Sequence, residues 1–208
     1  MSKKTEIILI RHGESLANAQ RIYLGQTDWD LSARGKEQTV IAAEHLRERQ
    51  LDAIYSSDLI RAYNTALPHS EIHGLPITTS RELREINIGK WEGMKIEDME
   101  RNWPKEFCVD WLQNFGTCQV PGGESVPHLA QRIYNEILRI AKENEGKTVV
   151  IACHAAAIRA FWGKVTGTTP ERVASEIPFP TNASCTTVFF DGESLLPVKY
   201  SEDSYLRA

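Results

Sequence analysis

The chain has 208 residues, 41% of them hydrophobic, which is enough to bury one sizeable core. Its 24 basic and 28 acidic residues leave a formal charge of −4, arguing against nucleic acid or an acidic membrane as the main partner while leaving room for a small anion met by local arginines. No run of eighteen apolar residues offers a membrane span, the apolar stretch after MSKK is too brief for a signal peptide, and Cys108, Cys118, Cys153 and Cys185 show neither pairing nor zinc spacing, so the chain reads as cytoplasmic with reduced thiols.

Ile7 to Ile10 is a short continuous apolar run, the pattern of a strand buried on both faces. It ends on Arg11-His12-Gly13. Ser32 is a good N-cap for a helix with Val40, Ala43 and Leu46 at helical spacing. Ala53 to Ser56 predicts a second strand, followed by a helix from about Asp58 to Leu67, and Pro76 to Thr79 a third strand. The stretch from about Gly89 to Gly123 has no clear period and reads as an insertion. Ser125 caps a long helix with Val126, Leu129, Ile133, Ile137 and Ile140 on one face. VVIAC is the strongest buried strand. A helix from about Ala155 to Val165 follows it, and Cys185 to Phe190 and Leu195 to Tyr200 are late strands around an Asp191-Gly192 turn.

Alternating strands and helices predict an α/β sheet with helices on both faces, whose ligands bind beyond the carboxyl ends of the strands. Two histidines follow two buried strands there, His12 and His154. Arg61, in the first turn of the helix after AIYSS, is expected at the same sheet end. Arg11 and Arg61 supply planar forks suited to phosphate oxygens, Gly13 permits close backbone approach, and helix N-termini after His12 and His154 would add N–H donors.

RHGES, SSDLIRA, LREINIGKWEG and ACH, in that order across residues 7 to 159, resemble the histidine phosphatase superfamily, the phosphoglycerate mutase-like fold. The resemblance implies a three-layer α/β/α domain over residues 1–208, with a mostly parallel central sheet and an inserted lid at about 89–123. It also implies roles. His12 would take up the phosphoryl group as phosphohistidine, Arg11, Arg61 and His154 would surround the phosphate, and Glu85 would be the general acid. Asn18 and the backbone at Ala155 would add phosphate contacts. The family needs no metal, and no cofactor is expected.

Each residue has a plainer reading. Arg61 could pair with Asp58, Glu82 could replace Glu85 as the acid, and Ser57 more simply caps a helix than acts as a nucleophile. His45, His69, His73 and His128 fit no motif and read as surface or structural. Cys153 to Arg159 satisfies the C-x5-R spacing of cysteine-dependent phosphatases, but three alanines and no glycine favour direct entry into helix over a phosphate-cradling loop. Ala155 and Ala156 depart from the glycines usual in the family after its second histidine, which narrows the pocket floor.

Between Gly89 and Gly123 stand four basic residues (Lys90, Lys95, Arg101, Lys105), six acidic ones, and Trp91, Trp103, Phe107, Trp111 and Phe115. An acidic, aromatic lid suits an ester with an apolar or planar body better than a small bisphosphate, favouring a phosphomonoester hydrolase over a mutase. A non-catalytic phospho-ligand binding module is a third reading, which the general acid argues against. The aromatics either pack as core or line the mouth. In the latter case, Gly122 and Gly123 would lend flexibility and Glu124 would reach the leaving group. The expected partner is a small phosphorylated metabolite, not nucleic acid or membrane; the oligomeric state is left open.

Overall fold

The computed structural model describes residues 4–207. Six strands form one sheet in the order β3-β2-β4-β1-β5-β6. They are β1 (Thr5–Arg11), β2 (Ala53–Ser57), β3 (Ile77–Ser80), β4 (Thr148–Cys153), β5 (Cys185–Phe190) and β6 (Leu195–Glu202). The first four run parallel, and β5 and β6 are antiparallel to their neighbours.

Alternate side chains of β1 go to opposite faces, as the strand period requires. Ile7 and Leu9 join a core with Ile133, Ile137 and Phe161, while Ile8 and Ile10 join one with Leu46, Ile54 and Ala66. The first face is covered by α5 (Val126–Glu143) and α6 (Ala155–Thr166), the second by α2 (Ala33–His45) and α3 (Ile60–His73). The result is the three-layer α/β/α arrangement.

Several boundaries differ from the sequence reading. The helix expected to stop at Leu67 continues through Pro68 to His73, where Gly74 ends it in the left-handed conformation at φ 65°. Burial of Thr65, Ala66 and His69 against the sheet offsets the amide hydrogen bond that proline forgoes. Val40 is exposed although Ala43 and Leu46 are buried. After His12 comes not a long helix but the single turn α1 (Leu16–Ala19), capped by Ser15. A further short helix, α7 (Pro170–Glu176), lies in a stretch to which the sequence assigned no element.

The 89–123 segment is more ordered than its lack of period suggested. It contains α4 (Ile96–Asn102) and a wide helical turn over Pro104–Trp111. Trp91, Phe107, Trp111 and Phe115 are buried and meet edge to face, with ring centroids 5.8 Å apart for Trp91–Phe107 and 4.9 Å for Trp111–Phe115. Gly122 and Gly123 are not a flexible hinge. A Cβ at Gly123 would stand 2.2 Å from the Asn87 carbonyl oxygen, and one at Gly89 2.4 Å from the Gly122 carbonyl carbon, so the two ends of the segment are packed backbone on backbone.

Candidate active site

Register assembles the site. β1 and β4 are adjacent and parallel with Arg11 opposite Cys153, so the next residue on each strand is a histidine. The His12 amide donates to the Cys153 carbonyl at 2.9 Å. The two imidazoles stand edge to face, centroids 5.3 Å apart. β2 flanks β4 on the other side and delivers Arg61 on the first turn of α3. Gly13 is required by a close approach, since a Cβ there would lie 2.5 Å from the carbonyl oxygen of Gly35 in α2.

The Nδ1 of His12 lies 2.7 Å from its neighbour's carbonyl, Gly13 O. A carbonyl only accepts, so Nδ1 carries the hydrogen. Burial, then the Arg61 and Arg11 charges, push the His12 pKa well below its ordinary value. The ring is therefore neutral at neutral pH, and Nε2 holds the lone pair. His154 is pushed well down for the same reasons, burial first. Both its ring nitrogens, and Arg11 Nε, are buried without a protein partner. Orphaned buried polar groups cost about 1–3 kcal/mol each, a cost a bound oxyanion would relieve at Arg11 Nε and at the His154 nitrogen that carries the hydrogen.

Arg61 is fully buried and does not pair with Asp58. It donates to the Gly25 and Thr27 carbonyls at 2.7 and 3.0 Å, while Asp58 is held bidentately by Arg84. Arg11 donates to the Pro180 carbonyl at 2.5 Å, and burial lowers its pKa to about 10, leaving it charged at neutral pH.

Glu85, not Glu82, enters the site. Its carboxylate accepts from the amides of Ala156 and Ala157 at 3.0 and 3.1 Å, at the N-terminus of α6, and from Ile86 at 2.9 Å. Burial raises its pKa, and those amides and Arg61 only partly oppose the rise. The first turn of α6 therefore binds the general-acid candidate with two of the N–H groups that the sequence reserved for phosphate.

A cleft of about 330 Å³ runs outward from this cluster, lined at its inner end by Arg11, His12, Asn18, Glu85, Ala155 and Ala156. The Asn18 side-chain oxygen accepts from the Ser15 amide at 3.2 Å and the Asn182 side chain at 3.4 Å, leaving its NH2 as the available donor. Farther out the lining is mostly apolar, interrupted by Tyr23 and Glu100, with Phe107 and Trp111 buried yet forming part of the wall. Trp91, Trp103 and Phe115 do not line it.

One expectation fails, and three plainer readings fit the structure. Glu124 lies outside the cleft, taken by Arg132 at 2.8 and 2.9 Å and by His128 at 2.7 Å. Cys153 is fully buried and burial pushes its thiol up, while Arg159 turns away to the Ile177 carbonyl at 2.6 Å, between the rings of Phe115 and Phe179. The C-x5-R spacing is accidental. Ser57 accepts from the Leu59 amide, as a helix-start residue does. His69 proves to be fully buried core.

Sequence reasoning missed two supports. Asn182 donates to the His12 carbonyl at 3.0 Å, just before the left-handed Ala183 at φ 58°. Arg132 donates to the carbonyls of Glu82 and Arg84 at 2.7 and 3.0 Å, clamping the segment that carries Glu85. Neither has a local signal, because each acts across many residues of chain. Among the described residues no group of three or more His, Cys, Asp or Glu is arranged to hold a metal, and no helix is long and apolar enough to cross a membrane.

Comparison with known proteins agrees with this geometry. A family model described as histidine phosphatase superfamily (branch 1) matches residues 7–203. The chain is 35% identical over 162 residues to phosphoserine phosphatase 1 of Hydrogenobacter thermophilus, covering 78% of this chain and 76% of that one. It is 31% identical over 208 residues to a metal-independent phosphoserine phosphatase of Arabidopsis thaliana, covering 99% and 84%. The structure of a mycobacterial glucosyl-3-phosphoglycerate phosphatase superposes with a TM-score of 0.87 at 28% identity, covering 95% and 99%.

Proposed function

The chain belongs to the histidine phosphatase superfamily and is a phosphatase of the phosphohistidine kind, and from that premise we propose how its residues divide the work. His12 Nε2 attacks phosphorus. The N–P bond forms as the P–O bond to the alcohol breaks, and Glu85 gives its proton to the leaving oxygen. Water then enters, Glu85 takes a proton from it, and the resulting hydroxide displaces phosphate from His12. Arg11, Arg61, His154 and the Asn18 amide hold the equatorial oxygens, where charge neutralisation and positioning carry most of the catalysis. The 89–123 segment serves as the lid over the alcohol, and the substrate is a small phosphorylated metabolite.

The observation that carries this reading is the neutral His12 ring, its Nδ1 tied to Gly13 O, beside a buried Glu85 whose pKa is raised. A nucleophile needs the first and a proton donor the second; a binding module needs neither. No basic side chain of the 89–123 segment lines the cleft, which supports hydrolysis over a mutase that must retain a bisphosphate. Rapid quench with labelled substrate should trap an acid-labile, base-stable adduct, and His12→Ala should abolish it together with turnover. An adduct or normal turnover in that variant would remove His12 from the role.

A further inference from the structure

Where the charged residues of the 89–123 segment go is informative. Arg101 pairs with Asp98 at 2.5 Å and Lys105 with Asp110 at 2.8 Å, while Lys90 lies over the Trp103 ring at 5.9 Å from its centroid. Outside the segment, Arg21, which precedes the cleft residue Ile22 in the chain, pairs with Glu97 at 3.1 Å. Of the segment's charged side chains, only Glu100 lines the cleft. It does so because α4 is a helix: Ile96 and Glu100, four residues apart, share one face, and that face turns to the cleft. Glu100 makes no hydrogen bond or ion pair among the described residues. The same cleft is lined by Ile22, Tyr23, Leu24, Phe107, Trp111 and Leu112.

We propose that the outer end of this cleft is a charge filter. It accepts phosphomonoesters whose alcohol has an apolar body without an anionic group, and it discriminates against those whose alcohol carries a carboxylate. The inference rests on the phosphatase reading above and names its substrate class. The two guanidiniums at the inner end are committed to the transferred phosphate. A carboxylate on the alcohol would shed water into an apolar wall with no cation to receive it, and would face Glu100 as a like charge. Selection of this kind works by a repulsive element as much as by an attractive one.

The test uses two esters of nearly equal size and electronic character, 4-carboxamidophenyl phosphate and 4-carboxyphenyl phosphate. Wild type should favour the carboxamide in kcat/KM by about 10–50-fold, the discrimination expected when a buried polar demand goes unmet. The preference should shrink in about 1 M salt, where charges are screened within about 3 Å. Glu100 is exposed, so its substitution leaves packing intact. Glu100→Lys should move the ratio toward the carboxylate by about tenfold or more, and Glu100→Gln by less. Equal kcat/KM for the two esters in wild type, or a ratio unmoved by Glu100→Lys, overturns the filter. Calorimetric binding of the same pair judges it independently of turnover, with equal affinities counting against it. The phosphatase reading falls separately, if neither ester phosphorylates His12.

Discussion

At and behind the inner end of the cleft, four cationic or cation-capable groups converge from the ends of β1, β4 and the start of α3, three of them held by backbone and His154 without a protein partner. Arg11 is held by the Pro180 carbonyl, Arg61 by those of Gly25 and Thr27, and the His12 ring by its own neighbour's carbonyl. At the outer end the wall is aliphatic and aromatic, and its one charge from the 89–123 segment is the exposed carboxylate of Glu100. The difference separates two tasks. On the proposed reading, the inner end recognises what every phosphomonoester shares and needs no contact with the alcohol. On the same reading the outer end meets what differs between esters, and part of it comes from the 89–123 segment, whose aromatics pack on one another and into the core on the Ile7 and Leu9 face of the sheet.

The comparison makes a sharp demand: changes at the inner end should tax esters by their chemistry, and changes at the outer end by their shape. The largest effect is expected at Glu85. Glu85→Gln should slow alkyl esters by about 10²–10⁴-fold, and nitrophenyl esters, whose leaving oxygen needs little protonation, far less. Equal losses on both would break the assignment. The pH profile sharpens it. The His12 pKa lies below its usual 6.5, so the nucleophile is lost only as the pH falls through that depressed value. The Glu85 pKa lies above its usual 4.5, so the donor is lost as the pH rises through that raised value. The optimum for alkyl esters should therefore lie on the acid side, and Glu85→Gln should flatten its alkaline limb.

Arg61→Lys keeps the charge but loses the planar fork. It should cost about 10²–10³-fold in kcat on every ester alike, the scale for removing one preorganised donor. A loss that depended on the alcohol would blur the two ends. Phe107→Leu, at the outer wall, should raise KM for aryl phosphates by about 5–10-fold and leave glycerol phosphate nearly unaffected, because lost stacking is worth about 1 kcal/mol. Equal activity on both substrates, in a variant that melts as wild type does, would make Phe107 core alone. Smallest of all, Cys153→Ser should keep activity within about threefold while losing about 1–3 kcal/mol of stability, since it buries a hydroxyl in the strand interior. Loss of activity with stability intact would return the thiol to the mechanism.

The sequence was most legible where local physics decides. Continuous apolar runs identify β1 and β4 because strands covered on both faces need no polar side. Ser32 and Ser125 mark helix starts because their hydroxyls accept the Gly35 and His128 amides. The order of short motifs was enough to choose Arg11, His12, Arg61, Glu85 and His154, and the fold draws all five to one sheet end. The segment 89–123 was poorly legible because its helical turns are stabilised by packing among Trp91, Phe107, Trp111 and Phe115 rather than by period or caps. Asn182 and Arg132 left no trace, since each bonds a backbone carbonyl far away in the chain.

By itself, then, the sequence determined the strands, the chemical inventory and the family's pattern of strand-end histidines, all of which depend on neighbours within a few residues. Only the tertiary structure decided which groups are free to act. It paired Asp58 with Arg84 and left Arg61 to the site, spent Glu124 on Arg132, turned Arg159 away from Cys153, and put Glu85 rather than a ligand on two amides of α6. It also sent Arg101 and Lys105 to carboxylates outside the cleft and left Glu100 facing it. Charge and hydrogen-bond partners are chosen in space, across distances along the chain that no local pattern records.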